Sequence, residues 1–190
     1  MEAFYQNIFA LIETIEESLE KRRFMPCLVL LYTGIDVASS LERRRSEATK
    51  RVFTAWAESY LLRARPLPCT ALELYAARCG VLHTFTSDSD LFQKGQVRQI
   101  LYAWGNADEN ELQECARILQ RPDYVAVHVR DLVEAFRDGL AAYLDELSQD
   151  EARQQVASKQ AGMWLMNTDP QLVRRLIELH RSSGPRGPAS

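Results

Sequence analysis

The sequence contains few of the residues that build metal centres or disulfide frameworks. Its 190 residues include four cysteines and three histidines, and the cysteines show no Cys-x-x-Cys spacing. A zinc site needs ligands in closely spaced pairs, so we expect no metal site and no cofactor. Unpaired thiols are typical of proteins in a reducing compartment, which predicts a cytoplasmic protein.

Long apolar runs are also missing. The longest, Cys27–Tyr32, is far shorter than the ~18 residues that a membrane-spanning helix needs, and we therefore expect no membrane partner. The first twenty residues carry five glutamates, and no basic segment precedes an apolar block. This pattern predicts that the chain has no secretory signal.

Charge of one sign does not dominate either. The chain has 23 Lys and Arg against 26 Asp and Glu, for a net charge of −3. This balance excludes a strongly basic, charge-driven nucleic-acid binder, but it allows an enzyme that touches RNA through a local patch. The densest basic run lies between residues 43 and 51. It either follows an RNA backbone or forms the solvated face of a helix.

Helical periodicity runs through most of the chain and predicts a mainly α fold, an up-and-down helical bundle. Thr70 and Glu73 form a capping-box pattern, which predicts a helix from about Ala71 to His83. The polar segment 84–90 is typical of a turn or of the cap of a short element. The other predicted helices are the periodic segment Phe4–Leu19, Met25–Glu42, Ala48–Leu62 and a long helix that begins at Asp131. Thr168-Asp169-Pro170 opens a last predicted helix, whose buried side consists of Leu172, Val173, Leu176 and Ile177.

Two segments are rich in β-branched and aromatic residues, Gln99–Trp104 and Tyr124–Val129. Each is typical of a short strand, and the two would then pair as one short β-hairpin with a helical insert. Residues 182–190 are rich in Ser, Gly and Pro, and we expect a disordered tail there.

The residues with a clear chemical use are Arg78 and His83. A guanidinium is always charged and matches phosphate oxygens, while imidazole exchanges its proton near neutral pH. Together they suit metal-independent RNA cleavage. A base removes the 2′-OH proton, the alkoxide attacks phosphorus to leave a 2′,3′-cyclic phosphate, and the guanidinium stabilises the developing charge.

The five-residue spacing is a constraint on that site. On a straight helix the two side chains point ~140° apart, which predicts that they do not meet. Two arrangements would bring them together. In the first, the helix would end between the two residues and Gly80 would loosen its last turn. In the second, two subunits would bring their copies together across a two-fold axis and so supply both an acid and a base.

The stretch YAARCGVLHTF around Arg78 and His83 resembles the R-x4–6-H motif of the HEPN superfamily, and LVLLYTGIDVASSL upstream resembles an early helix of such domains. The resemblance covers residues 1–150, with residues 151–181 as a C-terminal helical extension packed on them. It implies an up-and-down helical fold, a homodimer, and an endoribonuclease site of Arg78 and His83 that lines the dimer cleft. Many members of the family act in toxin–antitoxin systems, which adds an antitoxin-like protein to RNA and a second copy as expected partners.

The sequence departs from the family at two positions. Many active members carry a polar residue after the arginine and some carry Tyr two residues after the histidine, whereas this chain has Cys79 and Phe85. Both departures favour an alternative function, a non-catalytic module that binds RNA, a nucleotide or a partner protein.

Four further residues are candidates to support the site. Asp36 is a lone carboxylate in an apolar helix, so it must be paired or hydrated; Arg78 is a candidate partner, and a solvent-facing helix edge is the alternative. Asp88 would tune His83 or help to hold Mg²⁺, although such residues more often form turns. Lys94 and Arg98 follow the motif and would contact RNA phosphates, or remain solvated.

Overall fold

The protein is mainly helical, as predicted. The computed structural model describes residues 2–44, 46–86, 88–164 and 170–182. The α-helices in these ranges are α1 (Glu2–Glu20), α2 (Phe24–Ser40), α3 (Thr49–Trp56), α4 (Leu62–Ala64), α5 (Ala71–Thr84), α6 (Asp90–Gln93), α7 (Glu109–Ile118), α8 (Val129–Ser148), α9 (Glu151–Trp164) and α10 (Pro170–Ser182). None of the helices in this described part is long and apolar enough to cross a membrane.

Helix α2 occupies the centre of the core. It is apolar on nearly all sides, and Leu31, Tyr32 and Ile35 are fully buried. It packs against α1, α3, α5 and α8, as expected for a helix without a polar face. This central position puts Asp36 of α2 next to α5, the helix that carries Arg78 and His83.

The helix predicted over Ala48–Leu62 contains a π-helical turn. Ala57–Leu61 form this turn between α3 and α4. Gly139 of α8 packs directly on it, and a Cβ at that position would lie only 2.8 Å from the Cα of Leu61. The apolar periodicity of Ala48–Leu62 predicted one regular helix and did not predict this widened turn.

Two strands form where the sequence predicted them, β1 (Gln99–Ala103) and β2 (Tyr124–His128). The prediction of a hairpin is wrong, because the strands pair in parallel, with Gln99 opposite Tyr124 and Ala103 opposite His128. Parallel strands need a crossover connection, and the predicted helical insert, α7, provides it. Gln113 of α7 also accepts a hydrogen bond from the Ala126 N–H (2.8 Å) at the outer edge of β2.

The C-terminal helices differ in how far they are buried. Ala157 and Ala161 of α9 are buried, and α9 contacts α8. In α10, Ile177 was predicted on a buried side but is 46% exposed, while Val173 of the same predicted side is half-buried. The side chains of Leu172 and Leu176, the opening residues Thr168 and Asp169, and residues 183–190 of the predicted tail 182–190 lie outside the described residues. Ser182 was predicted to begin that tail but is the last residue of α10. The domain division at residue 150 stays a prediction.

Candidate functional site

Helix α5 carries the candidate site, and its beginning is set by the predicted capping box. The Thr70 hydroxyl accepts from the Glu73 N–H (3.2 Å), and the Glu73 carboxylate accepts from the Thr70 N–H (2.8 Å). The helix ends at Thr84, followed by Phe85 in the left-handed conformation with φ 54°. Arg78 and His83 therefore lie in the same continuous helix.

Arg78 and His83 meet within one chain. Nη1 of Arg78 lies 3.3 Å from Nε2 of His83. The prediction that a five-residue spacing keeps them apart on an unbroken helix is wrong, because the long arginine side chain bends around the helix towards the imidazole. Neither a helix end between them nor a second subunit is needed for the contact.

Asp36 of α2 holds the other side of the guanidinium. Nε and Nη2 of Arg78 lie 2.7 Å and 2.6 Å from Oδ2 of Asp36. Only 16% of the Arg78 side chain and 19% of the Asp36 side chain are exposed. The contact between Asp36 and Arg78 that the sequence suggested is therefore present, and Asp36 rather than solvent sets the orientation of the guanidinium.

Burial and charge act in opposite directions on this pair. Burial raises the pKa of the Asp36 carboxyl, although Arg78 and His83 partly offset that effect. Burial alone would lower the pKa of Arg78, but the hydrogen bond and the charge of Asp36 raise it. The carboxylate remains costly to ionise because its second oxygen, Oδ1, is buried without a hydrogen-bond partner in the described part of the chain. Arg78 is therefore firmly charged, and its counter-ion is only partly solvated.

The contact is also compatible with a role of His83 as a base. An arginine has only donors, so a hydrogen bond from Arg78 to Nε2 forms in the tautomer that carries its proton on Nδ1. In that tautomer Nε2 offers the lone pair that a general base needs.

Gly80 lets the loop after α5 fold back onto the helix between the two residues. A Cβ on Gly80 would lie 2.6 Å from the carbonyl oxygens of both Thr86 and Asp88. The Thr84 hydroxyl closes the same turn by donating to the Gly80 carbonyl at 2.9 Å. Gly80 is therefore needed for the close approach of the backbone, and it does not loosen the helix as the sequence suggested.

The folded-back loop forms one wall of a cavity of about 450 Å³ that includes His83, Asp88 and Lys94. Two of the predicted supporting residues therefore lie around His83. The Asp88 carboxylate accepts from the Gln93 side-chain amide (2.9 Å), which is the structural role expected of a turn residue. The cavity has the size of a site for a small organic ligand.

Arg98 lies elsewhere. Its guanidinium is bound to Glu73 (2.7 Å) and to the Pro68 carbonyl (3.1 Å) at the beginning of α5. Ten residues of helix, ~15 Å at 1.5 Å per residue, separate Glu73 from His83. The expectation that Arg98 supports this site is therefore not met, because Arg98 neutralises the buried carboxylate of the capping box.

The basic run between residues 43 and 51 divides between two cavities. Lys50 of α3 lines the cavity beside His83, while Arg43 and Arg44 line a different one. The sequence carries no signal for this division, since it depends on how α3 packs against α5. Within the described ranges no group of three His, Cys, Asp or Glu side chains could hold a metal ion.

The chain was also compared with known proteins. No protein-family model, curated protein or solved structure matches it. The resemblance of the Arg78–His83 segment to HEPN domains therefore stays a prediction, and a function has to be argued from the geometry of the site.

Proposed function

We propose that the protein is a metal-independent endoribonuclease of the HEPN type. The observation that carries this proposal is the contact of Arg78, oriented by Asp36, with His83, and His83 in turn lines a cavity together with Lys50 and Lys94. It brings together a phosphate-binding cation and an imidazole. The two lysines supply further positive charge for an RNA backbone.

The chemistry uses His83 as the base. Nε2 of one His83 takes the proton of a ribose 2′-OH, and the 2′-oxygen attacks the adjacent phosphorus. Arg78 moves its Nη1 donor from the imidazole to the phosphate oxygens and stabilises their charge. The bond to the 5′-oxygen breaks, which leaves a 2′,3′-cyclic phosphate and, after protonation, a 5′-hydroxyl.

The leaving oxygen needs an acid, and a second copy of the chain supplies it. One chain places one histidine in this cavity among the described residues. A homodimer with two facing cavities would contribute a protonated His83 from the partner as the acid. Sedimentation of the pure protein tests this arrangement, and a strictly monomeric species that still cleaves RNA would contradict it.

The catalytic roles are tested with single-stranded RNA in the presence of EDTA, by detecting 2′,3′-cyclic phosphate ends. We expect Arg78→Ala and His83→Ala to abolish cleavage while the circular dichroism spectrum stays helical. His128→Asn is the matched control, because His128 caps α8 by accepting from the Arg130 N–H (3.1 Å) and asparagine caps helices well. Full activity of either site variant would eliminate the assigned roles.

A second candidate is a non-catalytic module that binds RNA, a nucleotide or an antitoxin-like partner. It is favoured by the contacts of Arg78, whose three nitrogens are bound to Asp36 and His83 within the chain. An arginine held in this way has a structural role already. RNA binding without cyclic phosphate ends, unchanged in His83→Ala, would favour this candidate over the nuclease.

A further inference from the structure

A second cavity, of about 590 Å³, lies between the α2–α3 connection and α9. Among the described residues that line it are four cationic side chains, Arg43, Arg44, Arg153 and Lys159, and one carboxylate, that of Glu42. The whole chain carries a net charge of −3, so this concentration of positive charge is local. It is also separate from the cavity beside His83, since none of the described residues lines both.

The one carboxylate is already neutralised. Arg153 binds both oxygens of Glu42, each at 2.8 Å, and the Tyr143 hydroxyl donates to the same group (3.0 Å). Arg153 also donates to the Tyr60 hydroxyl (3.2 Å). Glu42 and Arg153 therefore neutralise each other in one wall of the cavity. The positive charges of Arg43, Arg44 and Lys159 are not neutralised by Glu42.

Arg43, the first of the three remaining cations, is held in position by hydrogen bonds. Nε of Arg43 donates to the Glu47 carbonyl, and the Arg43 carbonyl accepts from the Gln160 side chain, both at 3.0 Å. These bonds connect the loop to α9 and fix the cavity between them. The side chains of Arg44 and Lys159 form no ion pair among the residues that the structure describes. The backbone N–H of Arg44 donates to the Glu47 carboxylate (2.9 Å).

The wall between these cations is apolar. It includes Val156, whose side chain is 47% exposed, and Ala152 one turn earlier on α9. Guanidinium and ammonium groups bind phosphate oxygens, while an exposed aliphatic wall suits the flat face of a ring. The volume lies within the range of small-ligand sites.

We propose that this cavity binds nucleotide phosphates, either of a free nucleotide or of a nucleotide within RNA. Arg44 and Lys159 contact the phosphates, and Val156 contacts the base or sugar. The site does not depend on cleavage at His83, so it stands or falls separately from the proposed nuclease activity.

The test measures binding of ATP, of inorganic phosphate and of a fluorescently labelled ten-nucleotide RNA to the full chain. All proteins carry His83→Ala, so the RNA stays intact whether or not the wild type cleaves it. The variant Arg44→Ala/Lys159→Ala removes two cations from the cavity. The control Lys21→Ala/Arg117→Ala removes two exposed cations that pair with Glu17 and Glu114 elsewhere.

We expect the cavity variant to weaken binding at least tenfold, on the order of one charged hydrogen bond, and the control to bind normally. Weaker ATP binding with unchanged RNA binding identifies a free nucleotide as the ligand. Weaker binding of both, with ATP competing against RNA, identifies an RNA nucleotide, and the slope of log affinity against log salt should then fall by about 1.4 for two lost phosphate contacts on a single strand. Equal affinities in the cavity variant and the control, or binding of inorganic phosphate alone, overturn the proposal.

Discussion

Removing the Asp36 carboxylate should destabilise the protein through Arg78. In Asp36→Ala the guanidinium keeps its charge, because arginine is not deprotonated in proteins, and 84% of its side chain stays covered. Breaking a fully buried pair costs ~3–5 kcal/mol. Since both side chains retain some exposure, we expect a loss of about 2–4 kcal/mol in the free energy of unfolding, or about 5–15 °C in the melting temperature.

The double variant Asp36→Ala/Arg78→Met distinguishes two contributions to that loss of stability, the cost of an unpaired buried charge and the lost attraction between the two side chains. Methionine removes the charge and refills most of the apolar stem, so we expect the double variant to be more stable than Asp36→Ala alone. This follows because Asp36→Ala leaves the Arg78 charge largely buried without its counter-ion, whereas the double variant removes that charge as well. Each variant is measured by urea unfolding at neutral pH.

A matched pair in the same chain provides the control. Asp123 binds Arg121 at 2.8 Å, but their side chains are 41% and 43% exposed. Asp123→Ala should therefore leave the stability nearly unchanged, since an exposed ion pair contributes little. The reasoning fails if Asp36→Ala is as stable as Asp123→Ala, or if adding Arg78→Met to Asp36→Ala lowers stability further.

Two further variants examine α5. In Gly80→Ala the new Cβ meets two carbonyl oxygens at 2.6 Å, so we expect a loss of about 1–3 kcal/mol from overpacking in spite of the better helix propensity of alanine. A variant as stable as the wild type would show that the carbonyls of Thr86 and Asp88 do not pack on Gly80. Glu73→Gln examines the capping box: burial by itself raises the pKa of Glu73, but Arg98 and the Thr70 N–H together hold it below its usual 4.5. The charge therefore stabilises the fold above pH 4.5 and loses this effect as the pH falls through the lowered pKa. Urea unfolding should show Glu73→Gln less stable than the wild type at neutral pH, by a difference that shrinks as the pH falls below 4.5, and a difference independent of pH would contradict this.

The helices follow from local properties of the sequence. The capping box at Thr70 and Glu73 forms between residues three apart, so the beginning of α5 can be predicted without knowledge of the rest of the fold. Because α2 carries apolar residues on nearly all sides, the sequence likewise predicts its central position, since no face of that helix can remain in water. The strand positions follow in the same way from β-branched residues, but their relative direction does not, since it depends on how α7 crosses between them.

The candidate site is only partly local. The sequence by itself determined that Arg78 and His83 share a helix, and it suggested Asp36 as a partner because a carboxylate in an apolar helix needs one. Only the tertiary structure decided that the three meet in one chain, because that contact requires α2 to pack against α5 and the Arg78 side chain to bend towards the imidazole. Only the tertiary structure placed Lys94 and Asp88 at the cavity and Arg98 away from it, because the loop after α5 folds back onto Gly80, an approach between backbone atoms that no side-chain pattern encodes.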